Sequence, residues 1–210
     1  MNKHILFSNS IIKVLIIILP IILFLFITLF LYADIITNFE SWVYSESVEH
    51  MSPFITGCVK MITHMGGSIT VALLCLLLFL RPYTRKNYAL QTSISVILSS
   101  SVNALLKNIF ARPRPDMFRL VMETSYSFPS GHSMTNMAMY GTFALLAWKY
   151  MKSKKEKLIV AIICAVLVTA IGFSRIYLGV HYITDVIGGW CLGLAIALIV
   201  IFAYDNLQRQ

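Results

Sequence analysis

The chain alternates long apolar runs with short polar connections, and several runs are long enough to cross a membrane. Residues 11–32 are apolar almost without interruption. That run suits one transmembrane helix and exceeds the roughly 7–15 residues of a signal-peptide core. Pro20 lies inside it, where a membrane helix tolerates proline with a kink. Residues 34–50 are polar and acidic and read as an extramembrane loop, while 51–65 are amphipathic and read as an interfacial helix. A second span over 66–80 stops at Arg81-Pro82, and a third covers 88–110. The third carries Gln91, Asn103 and several serines, so it is expected to face protein neighbours rather than lipid. A loop rich in Arg and Pro, 111–129, leads into a fourth span at 130–149, and a fifth and a sixth follow at 158–173 and 184–204. The expected architecture is all-α: one membrane-embedded domain over 1–210, with six transmembrane helices and a short interfacial helix.

Composition points the same way, with 58% hydrophobic and only 12% charged residues and a mean hydropathy of +0.79; soluble domains carry about twice that share of charge. The four cysteines are widely spaced without a CxxC pair and read as packing residues rather than a disulfide or metal framework. A net charge of +8 would suit nucleic acid, but the basic residues fall in short runs between apolar segments, where topology explains them. Lys3, Lys13, Arg81, Arg85, Lys86, Lys149, Lys152, Lys154, Lys155, Lys157 and Arg209, eleven of the 17 basic residues, share one side of a six-span plan. The acidic residues Asp34, Glu40, Glu46 and Glu49 fall on the other side. Both termini are therefore expected in the cytoplasm.

Lys107, Arg112, Arg114, Arg119 and Arg175 break this bias, and they cluster in two extracytoplasmic connections. The same connections hold Ser130, Gly131, His132, Ser174, His181 and Asp185. Ionisable residues at a membrane boundary without a role in topology or solubility are candidates for function. For Arg112 and Arg119, snorkelling to lipid headgroups explains the residues as well as chemistry does. Phe128-Pro129-Ser130-Gly131-His132 opens span four, with Ser130 placed as an N-cap and the first turn's free N–H groups forming an anion site. His181 and Asp185 stand four apart, as they would on one face of a helix. A carboxylate there accepts the imidazole Nδ1 proton, and neighbouring guanidinium groups can hold phosphoryl oxygens.

Lys107-x6-Arg114-Pro115, Pro129-Ser130-Gly131-His132 and Ser174-Arg175-x5-His181-x3-Asp185 together resemble the three-part signature of the type 2 phosphatidic acid phosphatase superfamily. The resemblance implies that His181 attacks phosphorus, Asp185 orients it and His132 protonates the leaving oxygen. Lys107, Arg114 and Arg175, with Ser130 and Gly131, would hold the phosphoryl group; Ser174 belongs to the signature with a less defined role. It also implies no metal or other cofactor, a lipid phosphate as substrate and the bilayer as its setting. Compact length and brief loops resemble the bacterial phosphatidylglycerophosphatase B and undecaprenyl pyrophosphate phosphatase groups, and hence a multi-pass protein of a bacterial cell membrane. Within the family, phosphatidylglycerophosphate, phosphatidic acid and undecaprenyl pyrophosphate are the substrate choices.

The same residues admit rival chemistry. His132, His181 and Asp185 could bind zinc, although the surrounding cations would repel it. A phosphotransferase would use the same intermediate, and a transporter or silent lipid-binding protein would leave the set unused. Gly188, Gly189 and Gly193 read as close helix packing rather than a phosphate loop. Met134, Met137 and Met139 read as packing residues, and Tyr126, Phe128, Tyr177 and Tyr182 as interfacial aromatics or substrate contacts.

Overall fold

A computed structural model describes residues 10–33, 35–116 and 118–208. Lys3, Asp34 and Arg209, which belong to the charge pattern above, lie outside these. All regular elements among the described residues are helical. They are α1 (Ser10–Tyr32), α2 (Thr37–Glu49), α3 (Pro53–Met65) and α4 (Ser68–Leu80), then α5 (Pro82–Phe110), α6 (Gly131–Tyr150), α7 (Lys154–Tyr177) and α8 (Ile183–Leu207).

By length and apolarity α1, α5, α7 and α8 can each cross a membrane, and α3 and α4, bent by 46°, form a fifth, broken candidate. At about 1.5 Å per residue, the 13 residues of α4 reach only about 20 Å, too short to span alone. α6, expected as the fourth span, has 20 residues but is too polar to qualify by composition. Its position explains this. α6 packs on α5, α7 and above all α8, so its Ser133, Asn136 and Thr142 are buried against protein. Asn136 donates from Nδ2 to the Gly66 carbonyl at 2.9 Å, and Thr142 donates to Ser95 of α5 at 2.8 Å. α5 meets the expectation for its polar residues, since Gln91, Ser95, Ser99 and Asn103 are all buried.

The small residues of α8 permit its close approach to α6. A Cβ on Gly193 would stand 2.4 Å from the Met134 carbonyl oxygen, and one on Gly189 would stand 2.8 Å from that of Ser130. α1 instead faces outward along most of its length. Only Lys13, Pro20, Phe24 and Ile27 are buried, a stripe at heptad-like spacing that lies along α8.

Two further readings differ from expectation. The stretch read as a loop contains α2, held by tertiary contacts rather than by an apolar stripe. Tyr44 donates to the Phe118 carbonyl at 2.9 Å and accepts from the Phe118 N–H at 2.6 Å, and Glu40, one turn earlier, is buried. Phe128, read as an interfacial or substrate-facing aromatic, is instead core: its ring stacks on Phe24 at 5.5 Å and meets Phe110 edge-on at 5.0 Å. The four cysteines are free, three of them buried.

Candidate active site

The start of α8 organises the site. Asp185 is the third residue of that helix, and its Oδ2 accepts the Tyr182 N–H at 2.9 Å, filling a donor the helix end would otherwise leave free. His181 precedes the helix, so the two residues do not share a helical face as expected. The returning cap carboxylate brings Oδ2 to 3.3 Å from His181 Nδ1. Ser127 donates to the same oxygen, and Arg112 donates to Oδ1 at 2.6 Å. Asp185 is fully buried, with every contact made to a donor.

The other imidazole nitrogen fixes the tautomer. Arg114 Nη1 stands 3.2 Å from His181 Nε2. A guanidinium can only donate, so Nε2 carries the lone pair and the proton sits on Nδ1, toward Asp185. Gly179 makes this placement possible. It has φ +69°, and a Cβ there would lie 1.8 Å from the Phe118 carbonyl oxygen. Gly179→Ala is therefore expected to cost on the order of 3 kcal/mol of stability, by strain and overpacking, and to reduce activity with it. Thermal unfolding in detergent beside the wild type measures the cost.

The cations arrive from three elements. Lys107, on the last turn of α5, donates to Ser125 Oγ at 2.9 Å. Arg114 donates to the carbonyls of Ser125 at 2.7 Å and Val180 at 2.9 Å. Arg175, near the end of α7, donates to Thr63 of α3 at 2.8 Å and to Glu123, while its buried Nε has no hydrogen-bond partner among the described residues. Glu123 also lies 3.9 Å from Arg114. Ser130 caps α6 as expected, its Oγ accepting from the Ser133 N–H at 3.4 Å, and Asn103 of α5 holds the preceding turn through the Pro129 carbonyl at 3.0 Å. Ser174 turns away from this group and donates to Ile171 O of its own helix at 2.6 Å.

Lys107, Arg114, Glu123, Gly131, His132 and His181 line one cavity of about 320 Å³. It adjoins a groove of about 780 Å³ that shares Lys107, Arg114 and Glu123 and runs out past Asn108, Arg119 and Tyr126. The structure thus gathers Lys107, Arg114, Gly131, His132, Arg175, His181 and Asp185 at one site. Among the described residues, no three His, Cys, Asp or Glu side chains group as a metal-binding set would.

The sequence model of the PAP2 superfamily matches residues 88–209, more than half of the chain. The chain belongs to the PAP2 superfamily. The phosphatidylglycerophosphatase B of Bacillus subtilis is 33% identical over 196 residues, covering 90% of this chain and 97% of that protein. A crystal structure of a transmembrane PAP2-type phosphatidylglycerolphosphate phosphatase from Bacillus subtilis superposes with a TM-score of 0.84 at 30% identity, over 92% of this chain and 98% of that one. An undecaprenyl-diphosphatase of Sulfolobus acidocaldarius is 38% identical over 124 residues, 56% of this chain and 54% of that protein. The relatives are lipid phosphatases, and this chain shares their fold as an all-helical membrane protein.

In this PAP2 member several site residues carry no signal in the sequence. By sequence alone Glu40 is a loop charge, and for Arg112 the lipid-facing and the chemical reading stand level, yet Arg112 Nη2 donates to Glu40 Oε2 at 2.6 Å. Thr63, in the amphipathic 51–65 stretch, and Glu123, Ser125 and Ser127, in a loop without periodicity, all lie outside the three motifs.

Burial pushes the His181 imidazole from 6.5 down to about 4, outweighing the opposite pull of Asp185. In the unfolded chain the ring takes a proton near 6.5, whereas in the folded chain it does so only near 4. Acidification across that window therefore favours unfolding, and the contribution of His181 to stability is fully present only above 6.5. Nitrogen-15 spectra of histidine-labelled protein are expected to show His181 neutral at about pH 5.5, where an exposed histidine is mostly charged.

Proposed function

We propose that this chain is an integral membrane lipid phosphate phosphatase acting through a phosphohistidine on His181. The observation that carries this reading is the pair of contacts on that imidazole, Asp185 at Nδ1 and the Arg114 guanidinium at Nε2. A buried, neutral ring oriented by a carboxylate offers its Nε2 lone pair where a guanidinium would hold a phosphoryl oxygen. In the first step the N–P bond forms, the P–O bond to the lipid breaks, and His132 gives a proton to the leaving oxygen. In the second, His132 takes a proton from water, which attacks phosphorus and frees the imidazole and inorganic phosphate.

Lys107, Arg114 and Arg175 supply the positive charge that the transition state needs, so the reaction runs without a metal. The free Nε of Arg175 and the backbone at the start of α6, with Gly131 on the cavity wall, add donors; the turn fixed by Ser130 presents them. A phosphoryl group entering the cavity displaces the Glu123 carboxylate from its two arginines.

With α3 and α4 as one broken span and α6 as a protein-enclosed one, the chain crosses six times. The basic connections and both termini then lie in the cytoplasm, and the site opens on the outer face of a bacterial cell membrane. The groove beside α5 would admit a headgroup while acyl tails stay in the bilayer. Phosphatidylglycerophosphate is the first substrate choice, because the likeness to the Bacillus subtilis phosphatidylglycerophosphatase runs over nearly the whole of both chains. Undecaprenyl pyrophosphate and phosphatidic acid follow.

The test is phosphate release from these three lipids by detergent-purified protein in the presence of a chelator, with acid-labile phosphoprotein trapped at early times. Release unaffected by the chelator is expected, and no release, or release abolished by chelation, would overturn the reading. A cysteine at the exposed Met122 should react with an impermeant thiol reagent on intact cells if the site faces outward.

A further inference from the structure

Arg112 and Glu40 lie outside the three motifs, yet with Asp185 they form a paired charge cluster beside the site. Arg112 bridges two carboxylates, with Nη1 on Asp185 Oδ1 at 2.6 Å and Nη2 on Glu40 Oε2 at 2.6 Å. Thr184, next to Asp185, donates to the other Glu40 oxygen and accepts from Arg112 Nη1 at 3.0 Å. The guanidinium is capped by the Tyr182 ring, 4.1 Å from its centroid. Glu40 is 4% exposed and Asp185 0%, so the cluster is shielded from the solvent screening that weakens surface pairs. Arg112 does not line the cavity that holds His132 and His181. It stands behind Asp185, between a separate cavity of about 280 Å³ that it lines together with Glu40 and Phe110 and the inner end of the groove that adjoins the site.

We infer that Arg112 and Glu40 are positioning residues for the phosphatase reaction proposed above, setting the orientation and net charge of the carboxylate that supports His181. The inference rests on that reading of His181.

Charge counting gives the cluster its logic. When Nε2 bonds to phosphorus the imidazole becomes a cation, and a neighbouring charge of −1 stabilises it. Asp185 paired with Arg112 alone would sum to zero. Glu40 restores the balance, so that Glu40, Arg112 and Asp185 together carry −1, while the fork of Arg112 keeps Asp185 from turning away from Nδ1. The remaining groups facing His181 are Arg114 and Arg175, with Lys107, Glu123 and His132 across the shared cavity, and none of these changes in the variants below.

The experiment compares Glu40→Gln, Arg112→Gln and the double variant with wild type, by kinetics on a lipid phosphate and by nitrogen-15 titration of His181. Each single variant should lose about 10- to 100-fold in kcat, with KM within about threefold, as a small misplacement of a catalytic group does. The charge account also predicts opposite titration shifts of roughly one unit. Glu40→Gln leaves a neutral cluster and moves the His181 titration down; Arg112→Gln leaves −2 and moves it up. The double variant returns to −1, so its titration should lie near wild type although its kcat stays low.

Unchanged kcat, a rise in KM alone, or titrations moving the same way would overturn the inference while leaving the phosphatase reading intact. Should Arg112→Gln fail to fold, Glu40→Gln decides alone, and an unmoved His181 titration would overturn it. A wild-type protein that releases no phosphate defeats the underlying reading instead, and the titration still tests the coupling.

Discussion

Replacing His181 with alanine is expected to slow phosphate release by about 10⁴-fold or more, because the proposed covalent route disappears with the imidazole. The remaining cations can still bind the headgroup, so KM should change far less than kcat. Acid-quenched samples should contain no phosphoprotein, whereas the wild type should show it at early times. The substitution also removes the buried acceptor of Arg114 Nη1, which keeps its bond to the Val180 carbonyl at 2.9 Å, so folding is expected to survive. A variant within about tenfold of wild type would show that phosphorus is attacked by some other group.

Asp185→Asn is expected to lower kcat by about 10³- to 10⁴-fold, the scale seen when the carboxylate behind a catalytic histidine becomes an amide in serine proteases. The carboxylate accepts from Arg112, Ser127, Tyr182 and His181, and an amide has one oxygen with which to replace two. Its NH2 group, turned toward Nδ1, would drive the imidazole proton to Nε2, where it meets Arg114 and occupies the attacking lone pair. Nitrogen-15 spectra should show this tautomer switch directly. Leaving the half-buried Arg112 with Glu40 as its one carboxylate also costs stability, so unfolding curves and kinetics belong together. Wild-type activity in this variant would detach Asp185 from the chemistry.

The three motifs are legible because each demands particular residue types at fixed separation and because their cations contradict an otherwise consistent charge pattern. The membrane helices are legible wherever a helix faces lipid along its length, as α1 does. Legibility fails where tertiary contacts take over. The α2 helix depends on Tyr44 reaching Phe118, 74 residues away, and no local pattern announces that. Glu40 and Arg112 are 72 residues apart; one is explained alone as an outer-loop charge, and the other breaks the charge pattern without the sequence choosing between a lipid headgroup and chemistry. The pairing of His181 with Asp185 holds, but for another reason: the spacing suggests one helical face, whereas the contact comes from a helix-capping carboxylate folding back. Phe128 shows the reverse error, since an aromatic beside a membrane boundary can equally be core, and only Phe24 and Phe110 decide it.

The near contact of backbones where α8 passes α6 at Gly189 and Gly193 has a bearing on the membrane itself. Bilayers differ in thickness, and helices answer by tilting or sliding, at a modest cost per ångström. Two helices packed so closely cannot slide without their main chains colliding, and His132 and Asp185 ride on this locked pair. α1 and α4, which turn more of their surface outward, can take up the mismatch at the periphery. Turnover by this enzyme should accordingly vary little between vesicles of short-chain and long-chain lipid, whereas a protein with its reacting groups on two loosely joined helices would respond to each change.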